Sequence, residues 1–465
     1  MRIPISLNGI FQSERKAYTD INFAVDKPTD AELAANGFVF GRSGTAYYNN
    51  SSGNLVAASD GEPAYEHSQA GASLGLRMEP ASTNRIVNTA LDSDEVATSG
   101  KLWTIATSGI ALRAQSNITS PDGASNGVSM SGLGQSGAGY HLMYDTTTLA
   151  SSAAYNGWSA SCYAKAGNAK YVGFSFCNNV KIGAAFRLAT DGSDAPGIVN
   201  SNNCTASMED VGDGWYRCKM ENLQNGAAYM LWAVAPHSTA AKSWNDSAMG
   251  SWQTVSAYNS TSGSFPFYTY HANYIYLYGA QFEDSTVCTS YIPNASEATG
   301  GVTRNAETLN CTLSDMVKLS PAGNFSKGTF AINGFRTHAS SSASPTFLEF
   351  SNGSTSDTLG VNADATKEQL AMYDGSGAAD IEAGDDVAAG TEVKMACAYR
   401  QADYAASLNG ANAVTNTTNA LPTIDQVHFG KSFNSGRELT GHIKRFRYWN
   451  DRRLPNDILK RISAS

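Results

Sequence analysis

An all-β protein of tandem sandwiches is expected from this sequence on three observations. Short segments alternating between apolar and polar residues, bounded by Gly, Asn, Asp and Ser, recur from about Leu102 to the end. Long helical periodicities are nearly absent. Charged residues make up only 16% of the chain against 42% hydrophobic, so Ser, Thr, Asn, Gly and Tyr must cover much of the surface, as they do on β-proteins. A length of 465 residues is enough for several cores.

Residues 1 to about 24 read as a short arm. Pro28 to Ala35 suits one capped turn of helix, with Asp30 and Glu32 near its positive end. From Phe38 to about Asn88 the chain is turn-rich and weakly hydrophobic, so it should depend on a neighbouring domain or partner for stability. A first sandwich is expected from about Lys101 to Ile292, with strands at Tyr171–Phe176, Tyr216–Met220 and Tyr274–Tyr278. A second follows from about Thr308 to Trp449, with strands at Thr346–Phe350 and Ile443–Tyr448. Gly212-Asp213-Gly214, Asp374-Gly375 and Asn409-Gly410 supply hairpin turns. Pro455, Asn456 and Asp457 open a last short helix carrying Ile458, Leu459 and Ile462. The domain limits that follow are 1–95, 96–300 and 301–465.

A formal net charge of −9 argues against phosphate-backbone binding, and no nucleic-acid partner is expected. Met1 to Phe11 has no leader-peptide pattern, and no run approaches the roughly 18 apolar residues of a spanning helix, so a soluble chain without membrane insertion is expected. The seven cysteines, Cys162, Cys177, Cys204, Cys218, Cys288, Cys311 and Cys397, contain no C-x-x-C pair and read as reduced, mostly buried thiols. Cys204 and Cys218 flank a turn and would sit on neighbouring strands of one hairpin. A bridge there is conceivable, but cytosolic synthesis argues against it.

Four stretches resemble pieces of bacteriophage virion proteins of the tail-fibre and receptor-binding type. The first is Gly37-Phe-Val-Phe-Gly-Arg-Ser-Gly-Thr-Ala-Tyr47, followed by Gly75-Leu-Arg-Met-Glu79 and Thr83-Asn84. The second is Gly212-Asp-Gly-Trp-Tyr-Arg217. The third is Tyr276-Leu-Tyr-Gly-Ala-Gln-Phe-Glu283 with Thr289-Ser-Tyr-Ile-Pro293 and Thr303-Arg304, similar to the carbohydrate-binding-module sandwich of such proteins. The fourth, Leu439-Thr-Gly-His-Ile-Lys-Arg-Phe-Arg-Tyr-Trp-Asn-Asp-Arg-Arg-Leu454, resembles the closing strand and helix of phage concanavalin A-like lectin domains. The first departs from its pattern at Gly44 and at Arg77, which replaces an apolar residue.

The resemblance implies jelly-roll and concanavalin A-like sandwiches behind an irregular, virion-docking N-terminal region. It also implies a location in the virion after synthesis in the host cytoplasm, contacts with other virion proteins through that region, and a homotrimer. On it rests the expected function, a non-catalytic adhesin binding host surface polysaccharide. A capsid-decorating or tail-assembly protein without glycan binding is the alternative, and a polysaccharide depolymerase ranks third.

No enzyme is expected. Glucanases of the concanavalin-like fold carry E-x-D-x-x-E on one strand, which is missing here. Asp385-Asp386 and Glu283-Asp284 are adjacent, so each pair points to opposite faces of a strand. Gly71-Ala-Ser73-Leu-Gly75 matches a nucleophile elbow in letters but lacks the strand-to-helix context. The histidines show no metal-ligand spacing, and no cofactor is expected. Lectin-like sandwiches often carry calcium, and Asp380 to Asp386 offers the hard oxygens that ion prefers, yet a solvated loop is the stronger reading.

Aromatic residues are the more informative signal, with 22 Tyr and 7 Trp in a polar chain. In Tyr274-Ile-Tyr-Leu-Tyr278 the alternation sends Ile275 and Leu277 to one face and Tyr274, Tyr276 and Tyr278 to the other. Those tyrosines, extended by Tyr229, Trp232 and Tyr270 on neighbouring strand candidates, are the expected glycan-contact platform. Trp103, Trp158, Trp215 and Trp449 read as core residues. The run Lys444 to Arg453 reads as a terminal strand whose cations cover a sheet edge or pair with nearby carboxylates.

Overall fold

The computed structural model describes residues 19–86, 103–107, 116–131, 141–145, 157–176, 182–223, 232–237, 274–294, 301–312, 315, 325–338, 344–364, 367–374, 378–417, 420–433 and 437–465. Its strands form antiparallel sheets stacked as two sandwiches.

In the C-terminal sandwich one sheet runs Val414–Asn416, Tyr404–Leu408, Val393–Arg400, Lys327–Arg336, Gly441–Asn450, Ser73–Met78 and Tyr65–His67, with Thr19–Asn22 also on Gly441–Asn450. The other runs Val39–Gly41, Thr308–Cys311, Gln426–Phe429, Thr346–Ser351, Asp357–Ala363, Lys367–Asp374 and Ala378–Asp385. Alternation turns Phe330, Ile332, Met395 and Tyr448 of the first sheet onto Leu348, Phe350, Leu359 and Leu370 of the second, all of them fully buried. The helix Asn456–Ala464 lies across the outer face of the first sheet. There the small side chains of Ala331, Ala396, Ala398 and Ala405 admit Leu459 and Ile462.

The N-terminal arm is corrected by this pairing. Thr19–Asn22 is a strand in register with Arg445–Tyr448, and Ile21 and Phe23 enter the C-terminal core. The helix Asp30–Ala35 forms as expected, with Thr29 as N-cap in a reciprocal capping box with Glu32, and its Leu33 is buried in the same core.

The strand Gly441–Asn450 departs from strict alternation. Strict alternation would put Ile443 on the face of Arg445 and Arg447. Instead Gly334 pairs with Ile443 while Asn333 pairs with Arg445, which leaves Lys444 as an extra residue. This bulge resets the parity, so Ile443 joins Phe446 and Tyr448 in the core. Gly75 packs against the bulge with φ +96, where a Cβ would lie 2.4 Å from the Ile443 carbonyl oxygen. The cations pair as expected: Lys444 with Glu392 at 3.0 Å and Arg445 with Asp20 at 2.6 Å.

In the middle sandwich one sheet runs Thr205–Asp210, Trp215–Leu223, Trp158–Ala166, Tyr274–Glu283, Gly127–Ser131 and Ser116–Ile118, with Ser82–Asn84 and Val302–Arg304 at the end of Tyr274–Glu283. The facing sheet runs Gly197–Asn202, Ile182–Arg187, Tyr171–Phe176, Trp232–His237, His141–Asp145 and Trp103–Thr107. Their core joins Val128, Ala160, Ile275, Leu277 and Phe282 to Val172, Phe174 and Phe186. Parity switches here too. Ser161 pairs with Gln281 and Tyr163 with Tyr278, and the bulge at Gly279, φ +63, moves the core set from Ile275 and Leu277 to Ala280 and Phe282.

The described cysteines, all but Cys177, are free thiols. Cys218 stands opposite Met208 and Cys162, and no bridge to Cys204 forms.

Candidate functional site

The tyrosine strand has the expected parity but is largely covered. Ile275 and Leu277 are fully buried in the core. On the opposite face Tyr278 is 2% exposed, ringed by Tyr163 and Tyr291, and its phenol donates to Asp122 Oδ2 at 2.7 Å. The hairpin Ala46–Asn49 with Leu55–Ala58 lays Tyr47 and Leu55 over this layer. Tyr274 and Tyr276 keep part of their rings accessible and meet edge-to-face at 5.4 Å. The strand beginning at Trp232 belongs to the facing sheet, so it does not extend this platform, and Tyr229 and Tyr270 lie outside the described residues.

Trp215 and Trp449 are buried, and Trp158 packs on Phe282 at 4.9 Å. Only the backbone of Trp103 is described. Asp380 to Asp385, read as a loop, lies in the strand Ala378–Asp385, and Asp386 pairs with Arg336 at 2.5 Å. Among the described residues no three His, Cys, Asp or Glu side chains converge as a metal site.

The motif residues converge elsewhere. Glu79 accepts from the Ser290 backbone N–H at 2.9 Å and pairs with Arg304 Nη1, also at 2.9 Å. Arg304 donates to Glu307 Oε1 at 2.8 Å, and Arg42 faces the same carboxylate at 3.5 Å. Asn84, fully buried, donates to the Ala280 and Ile292 carbonyls and accepts from the Phe282 and Ile86 N–H groups. Glu283 accepts from Ser82 and Thr289. These residues tie the N-terminal segment to both sandwiches through charge-assisted bonds. Burial opposes ionisation of Glu79, but the Arg77 and Arg304 guanidiniums outweigh it and hold this carboxyl well below the usual range.

Beside this hub a cavity of about 500 Å³ opens between the sandwiches. The N-terminal segment contributes Tyr47, Glu66, His67, Arg77 and Glu79 to its wall. The middle sandwich adds Tyr163, Ser207, Glu209, Asp210, Arg217 and Lys219, and the C-terminal sandwich adds Phe335, Thr337, His338 and His442. Arg77 Nη2 donates to Glu66 Oε1 at 2.5 Å, and His442 Nε2 meets Glu66 Oε2 at 2.6 Å. The His442 ring stacks on Phe335 with centroids 4.7 Å apart. Lys219 pairs with Glu209 at 2.6 Å, and His338 bridges the sandwiches to Glu221 at 2.9 Å.

Three of the seven histidines thus meet in one cavity although no spacing in the sequence links them. The available signal was the set of quoted stretches, since Arg77, Arg217 and His442 each sit in a different one. Arg77 departs from its pattern, and it is a cavity residue.

The class defined by this fold is an all-β chain of tandem sandwiches, and comparison places solved β-sandwich domains beside it. A Ruminococcus gnavus sialidase carbohydrate-binding module of family 40, bound to α2,3-sialyllactose, is 16% identical, covering 33% of this chain and 90% of that one with a TM-score of 0.28. A heptameric SAP-like pentraxin from Limulus polyphemus is 14% identical over 30% of this chain and 70% of its own, with a TM-score of 0.25. A botulinum neurotoxin serotype D binding domain is 7% identical over 34% and 40%, with a TM-score of 0.26. No known family's sequence pattern and no curated protein matches the chain.

Proposed function

We propose that this protein is a non-catalytic adhesin of the phage tail-fibre type that binds host surface polysaccharide. The observation that carries the proposal is the cavity between the sandwiches, where the Tyr47, Tyr163 and Phe335 rings stand among carboxylates, guanidiniums and imidazoles. Apolar ring faces beside dense hydrogen-bonding groups are what a sugar presents in complement. The phage-like stretches support a virion location, docking to other virion proteins through the N-terminal region, and a homotrimer in which weak single sites gain avidity.

Absence of catalysis is part of the proposal. A hydrolase needs one carboxyl to donate a proton and a second, suitably placed, to act as base or nucleophile. Here Glu66 is engaged by Arg77 and His442, Glu79 by Arg304, and Glu209 by Lys219. No metal is assigned a role.

The test is binding of the full-length protein to intact host cells and extracted surface polysaccharide, with reducing ends assayed in the same tubes. Saturable binding without new reducing ends is expected. No binding by the oligomer would favour a decorating or assembly role, and released reducing ends would restore the depolymerase.

A further inference from the structure

Four side chains on the cavity wall have unfinished hydrogen bonding. Asn49, His67, Arg217 and His442 are 5%, 4%, 6% and 3% exposed, and among the described residues Asn49 Oδ1, His67 Nδ1, Arg217 Nε and His442 Nδ1 have no partner. Buried polar atoms in folded proteins are nearly always satisfied, so four such atoms on one cavity call for an occupant.

The partners on the far side of each ring fix what is missing. Lys27 Nζ has only protons to give, so His67 Nε2, 2.8 Å away, accepts and the ring proton sits on Nδ1. Glu66 only accepts, so the Nε2–H tautomer of His442 serves it, and in that tautomer Nδ1 is left as a lone pair. Arg217 Nε is a donor. Asn49 Oδ1 is an acceptor, so the wall presents two donors and two acceptors.

Its charge leans negative, with four carboxylates against three Arg and Lys side chains. Arg77 lies against Glu66 and Glu79, Lys219 against Glu209, and Asp210 adds a further negative group. Arg217 spends an Nη2 proton on the Thr289 carbonyl. The wall carboxylates Glu66, Glu79, Glu209 and Asp210 outnumber the cations Arg77, Arg217 and Lys219, which disfavours a carboxylated ligand, whereas hydroxyl groups, which both give and accept, match the two-donor, two-acceptor set. A volume of about 500 Å³ is that of a small-molecule site, suited to one or two sugar rings rather than to a long chain laid across it.

Resting on the adhesin reading, we propose that the cavity receives the uncharged terminal sugar of the host polysaccharide end-on. His67 and Arg217 donate to its hydroxyls, and His442 and Asn49 accept from them.

The test uses the full chain and competition with soluble sugars. Glucose, galactose, mannose, rhamnose and N-acetylglucosamine, and as charged controls glucuronic and N-acetylneuraminic acid, are each supplied at on the order of tens of millimolar against polysaccharide binding and in direct calorimetry. Thr337→Trp plugs the cavity from an exposed position, and Ser207→Phe fills it from a half-buried one. Thermal unfolding verifies both variants, and either one that folds decides. At least one neutral sugar should compete, the acids should not, and plugging or exoglycosidase trimming of the polysaccharide should cost tenfold or more in binding. Polysaccharide binding that survives plugging, and that no neutral sugar displaces, overturns the end-on site while leaving the adhesin standing. Competition by the acids alone overturns the ligand class. A neutral sugar bound only by unplugged protein, without polysaccharide binding, keeps the site and removes the adhesin. Absence of both kinds of binding removes both.

Discussion

The two sandwiches hold the N-terminal segment in different ways. The C-terminal one takes it inside: Ile21, Phe23, Leu33, Phe38, Phe40, Leu76 and Met78 are part of its core, and four N-terminal strands extend its sheets. The middle one is joined to it mainly from outside and at one end, by Asn84, Glu79 and Ser82 and by the aromatic layer under Tyr47 and Leu55. Apolar burial is non-directional and supplies stability. The hydrogen-bonded joint is directional and fixes how the walls of the cavity meet.

Breaking each joint separates the two. Arg304→Ala removes the cation that Glu79 and Glu307 share and should cost about 3–5 kcal/mol at neutral pH, the range for a broken buried pair. Part of that loss should return in acid, where the stranded carboxyls protonate. Phe38→Ala removes a fully buried ring set edge-on to Phe429 at 5.6 Å and to Phe446 at 6.2 Å, and should cost about 3–4 kcal/mol with no such pH dependence. Denaturant midpoints at acid and neutral pH check both. A Phe38→Ala loss below about 1 kcal/mol would show that the segment is docked rather than built in.

How much of this could be read from the sequence follows from the range of each signal. Tyr171–Phe176, Thr346–Phe350 and the terminal helix carry local periodicity and capping, and they form where expected. Thr19–Asn22 has only four residues and a partner more than four hundred positions away, so nothing local marks it as a strand. Bulges at Lys444 and Gly279 break the period of two, so alternation alone misplaces Ile443. The parity of the tyrosine strand was legible from its alternation. Its cover was not, because Tyr47 and Leu55 come from a hairpin over two hundred residues away. Arg77 and His442 stood in quoted stretches, but their meeting at Glu66 is a product of topology.

The two regions also hold buried carboxyl groups in opposite states. At the polar joint Glu79 is held ionised, whereas in the C-terminal sandwich Glu368 is fully buried and its pKa is pushed up to about 7 by burial, against the pull of Arg336 at 3.6 Å. A folded value above the ordinary 4.5 means that folding favours the protonated form. Its contribution is complete below about pH 4.5 and is lost as pH rises through about 7, at most about 3 kcal/mol. Glu368→Gln should flatten stability against pH across that interval, and an unchanged slope would place the titration elsewhere.

The smallest effect expected is also the one that separates the covered tyrosine layer from the cavity. Tyr278→Phe removes a single phenol that donates to Asp122, while its ring stays packed between Tyr163 and Tyr291. A charge-assisted bond of this kind is worth about 1–2 kcal/mol, so the unfolding midpoint should fall modestly. Polysaccharide affinity should not change, because with 2% of its surface accessible Tyr278 has no face to offer a sugar. An affinity loss of tenfold at unchanged stability would instead make the strand Tyr274–Glu283 the binding surface and the cavity a bystander. Tyr278 itself lies off the cavity wall, and its phenol reaches that wall only through the Tyr47 hydroxyl, so Tyr47→Phe alongside separates the two contributions.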